Sequence, residues 1–221
     1  MIHASLESPV WNATVVRDGL TGKVLSETNM DWDKMPFKVP AYLNHRVALH
    51  RELMRLATAH SGQGDEPAIP GNPAELRTSS QAVDIDADTG SVTLEDGTKM
   101  QADLLVVADG INSSLRSKIL GRPHPAQPSG STAFRLLLPL SALQADPDLT
   151  EWTNTGQLSV RFGKGRSIVA YSCRMDGTDL LNVAALCPDD ELPKDHLDAG
   201  WMAAGEKELM LSVFKDCTSM R

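Results

Sequence analysis

Asp103-Leu-Leu-Val-Val-Ala-Asp-Gly-Ile-Asn-Ser-Ser-Leu-Arg116 is the stretch on which the reading of this chain turns. Leu104 to Ala108 are apolar without a break, and the run stops at Asp109–Gly110. A short apolar run closed by a turn is what a strand buried on both faces of a sheet requires. Gly110 lets the backbone turn sharply and approach a ligand closely. Asn112 or Ser113 can cap a helix over Ser113–Leu120, whose first amides suit phosphate. Arg116, one turn on, can brace the loop or meet an anion. Strand, glycine turn and helix in this order put a ligand at the carboxyl end of a central strand.

Upstream, Ser80–Asp86 and Ser91–Glu95 alternate apolar and polar residues, and Asp96–Gly97 closes the second run as a hairpin turn. Gly- and Pro-rich Ser61–Pro73 reads as an irregular loop. Before it, Arg46–His60 reads as a helix. Val47, Leu49, Leu53, Leu56 and Ala57 make one apolar face, opposite Arg51, Glu52 and Arg55. Asn44 is the expected N-cap. Near the start, Trp11–Arg17 and Val24–Thr28 flank Asp18–Gly19 and Gly22, which predicts a hairpin.

Downstream, Pro123, Pro125 and Pro128 mark a boundary. Beyond it, Thr132–Leu140, Gln157–Phe162, Arg166–Cys173 and Leu180–Leu186 are strand-like. Gly163–Lys164–Gly165 and Asp176–Gly177 join them, so the pattern is that of an antiparallel meander. Asp189–Asp198 is polar. Ala199–Phe214 reads as a helix that buries Trp201, Leu209, Val213 and Phe214.

Composition narrows the function classes. The chain has 221 residues, 41% of them hydrophobic, enough for one sizeable core or two small ones. Its formal net charge is −8, and Lys and Arg do not cluster, which excludes a phosphate-tracking nucleic-acid surface. Cys173, Cys187 and Cys217 are odd in number and lack a CxxC pair, so neither a zinc ribbon nor a disulfide framework is expected. The six histidines have no metal-ligand spacing, and no metal site is expected. No apolar run approaches the ~20 residues of a membrane span, and Met1–Val10 is not built like a signal peptide. The expectation is a cytoplasmic protein.

Asp109, Gly110, Ser113 and Arg116, behind their apolar run, resemble the D-G-x-x-S-x-x-R motif of FAD-dependent aromatic-ring hydroxylases of the salicylate-hydroxylase type. Arg46, Leu49 and Leu53 resemble that family's R-x-x-L-x-x-x-L helix. Gly90, Val92, Leu94, Asp96, Gly97, Ala102 and Asp103 resemble the hairpin that precedes its DG strand. Ala133-Phe134-Arg135, Ile168-Val-Ala-Tyr171 and Leu181-Asn182-Val183-Ala184 resemble its substrate-domain strands, with Ser172 where a proline is usual. Phe214–Lys215–Asp216 is similar to the helix that follows. The similarity covers most of residues 40–217.

The resemblance implies an FAD- and NAD(P)H-dependent monooxygenase that hydroxylates a small aromatic compound. It implies FAD contacts at Arg46, Val83, Asp109, Gly110 and Arg116, with Tyr171 lining the aromatic substrate's pocket. It implies no obligatory acid–base pair in this stretch, since the oxygen chemistry is the cofactor's. The fold class expected is α/β with mixed α+β character: a partial FAD/NAD(P)-binding domain and a second, mostly antiparallel substrate-domain sheet. The expected divisions are a peripheral hairpin segment at 1–40, the remainder of the FAD domain at 41–125, the substrate-domain sheet at 126–200 and a returning helix at 201–221. The chain has no G-x-G-x-x-G and no second G-D-type motif, which reads as a family member truncated at both ends. The competing reading is a non-catalytic remnant or interaction module without FAD.

Overall fold

The structure is a computed structural model that describes residues 6–59, 71–198 and 205–217. In chain order the elements are β1 (Ala13–Asp18), β2 (Val24–Asn29), α1 (Arg46–Thr58), β3 (Ala82–Asp86), β4 (Ser91–Leu94), β5 (Lys99–Gln101) and α2 (Arg116–Leu120). Then come β6 (Ser131–Pro139), α3 (Leu140–Gln144), β7 (Gln157–Gly163), β8 (Arg166–Met175), β9 (Thr178–Pro188), α4 (Lys194–Asp198) and α5 (Lys207–Val213). The chain divides into two compact units, one of residues 1–57 with 130–221, the other of residues 58–129. This is a mixed α/β architecture with two separate sheets.

The larger unit holds a six-stranded sheet in the order β2-β1-β7-β8-β9-β6. β7, β8 and β9 form the expected meander, and β6 closes it antiparallel to β9. The two-residue turns explain the meander's register. Lys164 and Gly165 have φ of 48° and 77°, and Asp176 and Gly177 have 50° and 76°. Positive φ at both central residues is the type I′ geometry, whose twist matches that of the flanking strands. The hairpin of β1 and β2 also forms, as its turn residues predict. The sequence pattern did not reveal that β1 runs parallel to β7 and so extends the same sheet.

One face of this sheet is covered. Phe134, Ile168, Ala170, Leu181, Val183, Ala185 and Cys187 lie on it and are buried with Leu140, Leu143, Trp152, Met210, Val213 and Phe214 from the helical segments. Phe134 meets Phe214 edge to face, with ring centroids 6.5 Å apart. Burying a side chain such as Phe214, which is fully shielded, contributes roughly 2–3 kcal/mol. Leu209, Val213 and Phe214 pack as predicted, while Trp201 lies outside the described residues.

The smaller unit contains the three-stranded antiparallel sheet β3-β4-β5. Its hairpins confirm the reading of Ser80–Glu95 and of the Asp96–Gly97 turn. The expected strand at Leu104–Ala108 does not form. Its residues belong to no sheet, and Leu104 and Val106 are 78% and 74% exposed. A strand buried on both faces needs neighbouring strands and a layer on each side. None of the described residues supplies them.

Two further expectations are corrected. α1 spans Arg46–Thr58, but its apolar face is not covered: Val47 and Leu53 are exposed, and Glu52 is the buried residue. Asn44 is not its cap, because the helix starts at Arg46 and the residue before it is His45; the Asn44 amide N–H donates to the Tyr42 carbonyl. His45 Nδ1 instead accepts from the Ala48 N–H at 3.4 Å. The expected loop at Ser61–Pro73 lies mostly outside the described residues.

Candidate functional site

The Asp109–Arg116 loop is a closed, self-bonded structure. Gly110 has φ of 84°, in the left-handed region that other residues enter at a cost, and no atom lies within 4 Å of where a Cβ would stand. Its backbone is therefore bent and open to approach. The Gly110 carbonyl accepts from the Ser113 N–H at 3.3 Å. Ser113 Oγ accepts from the Arg116 N–H at 2.9 Å, but the N-cap position is Leu115, which has no side-chain cap bond, so neither Asn112 nor Ser113 is the cap the sequence suggested. The helix itself starts only at Arg116 and has five residues, too short for the phosphate-binding N-terminus predicted from Ser113–Leu120.

Asp109 and Arg116 hold this loop from inside. The Ser113 hydroxyl, the largest influence, holds the Asp109 carboxyl below its ordinary range. Burial opposes it and comes second, and the Leu115 N–H and the Arg116 charge add smaller effects in the lowering direction. Arg116 donates from one guanidinium nitrogen to the Gly110 and Ile111 carbonyls at 2.8 Å each, and from another to the His124 carbonyl at 3.3 Å. Of the two roles the sequence left open for Arg116, the geometry shows the brace.

Val83 lies in the same unit, on β3. Ala82 pairs with Leu94 and Asp84 with Thr93, so Val83 is the extra residue of a bulge and is 40% exposed. A bulge re-aims the side chains around it. Lys118 of α2 bonds Asp84 beside it at 2.9 Å, tying the DG helix to this strand. Sequence reasoning missed Lys118.

Arg46 and Tyr171 belong to the other unit. Arg46 opens α1, is exposed, and has no ion-pair or hydrogen-bond partner among the described residues. Tyr171 is half-buried on β8, between Leu158 and Asn182 in register. The structure thus gathers Asp109, Gly110 and Arg116 in one loop, with Val83 in the same unit. Among the described residues no group of three or more His, Cys, Asp or Glu side chains is placed to hold a metal. No helix of the described residues is long and apolar enough to cross a membrane.

Comparison with known proteins gives these features a context. No family model matches the sequence. Hispidin-3-hydroxylase of Neonothopanus nambi is 32% identical over 212 residues, covering 90% of this chain and 47% of that protein. The FAD-dependent monooxygenase cfoG of Aspergillus candidus is 32% identical over 225 residues, 97% of this chain and 45% of that protein. Among solved structures, HpxO of Klebsiella pneumoniae complexed with FAD and uric acid superposes with a TM-score of 0.65 at 18% identity, over 99% of this chain and 51% of that one. At that identity the likeness speaks for the fold. The chain spans about half the length of the relatives it matches.

Each unit by itself offers chemistry that suits a dinucleotide. In one, Arg46 is an exposed guanidinium with no partner among the described residues, of the kind a phosphate or a ring carbonyl takes. In the other, Gly110 offers bent backbone with open space in front of it. Sequence similarity over nearly the whole chain and a shared fold agree: the chain is related, along about half of their length, to FAD-dependent monooxygenases.

Proposed function

We propose that this chain is the part of an FAD- and NAD(P)H-dependent monooxygenase that presents the DG loop and the substrate-domain sheet, and that its substrate is a small aromatic compound. The observation that carries the reading is the 32% identity to hispidin-3-hydroxylase over 90% of the chain. Bound FAD, reduced by NAD(P)H, would supply the activated oxygen for ring hydroxylation. The chain's own residues bind, orient and exclude water. In this reading Arg46 pairs with an anionic or carbonyl edge of the dinucleotide. Gly110 lets backbone approach the cofactor, Val83 adds a backbone contact from β3, and Asp109 and Arg116 keep the loop in shape for it. Tyr171 faces the aromatic ring. The three unpaired cysteines go with a reducing, cytoplasmic setting.

A second reading, a flavoprotein-like module that holds no FAD, is favoured by the bare Leu104–Ala108 segment, which lies where the sequence pattern asks for the central strand of a cofactor domain. Purified chain, incubated with excess FAD and desalted, separates the two. Retained flavin absorbance, lost in Arg46→Ala, supports the first reading, and NAD(P)H oxidation with aromatic acids then follows. A colourless protein supports the second.

A further inference from the structure

Between α2 and β6 the chain reads Arg122-Pro-His-Pro-Ala-Gln-Pro128. Every residue of this run is exposed, and none belongs to a helix or a strand. Gly121 and Gly130 bracket it with φ of 63° and 75°, and no residue between them has positive φ. Each proline fixes its own φ at about −65°. Each residue before a proline is held to extended backbone. Arg122, His124 and Gln127 all precede prolines, so Ala126 alone in the run escapes both restraints. The conformation they favour together is the polyproline II helix.

That helix has about three residues per turn and rises about 3.1 Å per residue. Arg122, Pro125 and Pro128 therefore stand along one edge, about 9 Å apart. Pro123 falls on another edge. Segments of this kind dock into aromatic-lined grooves of partner domains, and they arrive already in the bound shape, which lowers the entropic cost of association. The His124 backbone is tied to α2: its N–H donates to Ser117 Oγ at 3.3 Å, and its carbonyl accepts from Arg116 at 3.3 Å. That anchors the start of the run and leaves Arg122, Pro125 and Pro128 exposed.

Charge adds a direction. No Asp or Glu occurs from Gly110 to Ala145, although the chain as a whole carries −8. Arg116 is bonded within its own loop and Lys118 to Asp84. Arg122 has no hydrogen-bond or ion-pair partner among the described residues. An exposed guanidinium at the head of such a segment suits a carboxylate on the partner.

We propose that Arg122–Pro128 is a docking site for a domain that reads polyproline II segments, of the SH3 type, with Pro125 and Pro128 in its aromatic groove and Arg122 on an acidic pocket beside it. The inference goes beyond the monooxygenase reading and does not depend on it.

The test titrates the full 221-residue chain into an isotopically labelled SH3 domain that selects R-x-x-P-x-x-P peptides, followed by the amide NMR signals of that domain. Saturable shifts at its groove are expected. Arg122→Glu should weaken binding about tenfold or more, as the loss of one charge-assisted hydrogen bond requires. Pro125→Ala and Pro128→Ala should each weaken it clearly more than Pro123→Ala, which lies off the edge. These positions are exposed, so the variants are expected to keep the urea midpoint of the parent chain. No saturable shift, binding that survives Arg122→Glu, or a loss as large in Pro123→Ala as in Pro125→Ala would each overturn the proposal.

Discussion

Arg161 shows how much a single buried cation depends on its surroundings. It lies on β7, side by side with Arg17 of β1 in the parallel register, and is 3% exposed. Its guanidinium stacks over Trp152 at 4.3 Å and bonds Glu151, which also holds Arg17 at 3.3 Å. Burial, first, pulls the Arg161 pKa below its ordinary value, and the Glu151 charge opposes that. One carboxylate therefore serves two guanidinium groups, and Arg161 Nε has no hydrogen-bond partner among the described residues. Glu151→Gln is expected to cost about 2 kcal/mol, below the ~3–5 of a fully buried pair because Glu151 keeps some solvent. Urea denaturation of the variant checks this. The strand was legible from Gln157–Phe162, but no local pattern marks an arginine that points into the core. The same limit applies at the start of α1, where Asn44 has the better capping chemistry and His45 makes the bond.

At the scale of elements, Leu104–Ala108 separates pattern from structure. Its residue types are those of a central strand, and its exposure alternates, with Leu104 and Val106 outward and Leu105 and Val107 half-buried. Alternation without a partner strand leaves an apolar edge in water. Replacing Leu104 and Val106 with serine is expected to leave the unfolding midpoint almost unchanged, since exposed side chains contribute within about ±0.5 kcal/mol. It should also reduce self-association, measured by sedimentation or light scattering. Unchanged self-association would show that this edge is shielded in solution. The meander, by contrast, was fully legible, because Lys164–Gly165 and Asp176–Gly177 encode their turn type locally.

For the whole molecule, acid sensitivity follows from many small contributions. Asp18, Asp84, Asp86, Asp96, Asp109 and Asp216 are all held below the ordinary value of 3.8. The first-acting cause is a Thr21, Lys118, Thr89, Thr98, Ser113 or Lys164 hydrogen bond, respectively. A carboxylate depressed in the folded state stabilises it above the unfolded pKa, and that stability is lost as pH falls through the folded value. Stability against urea is therefore expected to be flat from neutrality to about pH 5 and to decline below about pH 4. The cysteines act the other way. Burial pushes the Cys173 thiol up to about 11 and raises Cys187 and Cys217. Thiolate is the reactive form, so none of the three should alkylate at neutral pH until the chain unfolds, which a mass-resolved labelling time course would show.

What the sequence determined by itself is local: the hairpins, the meander, the extent of α1 and the turn at Asp109–Gly110, each set by turn residues and periodicity within a few positions. The family, too, was legible from the order and spacing of weak motifs. Tertiary structure alone decided that β1 joins β7, that Arg161 is buried on Trp152, that Arg116 directs its donors to its own loop, and which sheet face is buried under the helical segments. Those outcomes depend on which distant segments meet, and a strand's pattern states only that it needs partners, not whether they are there.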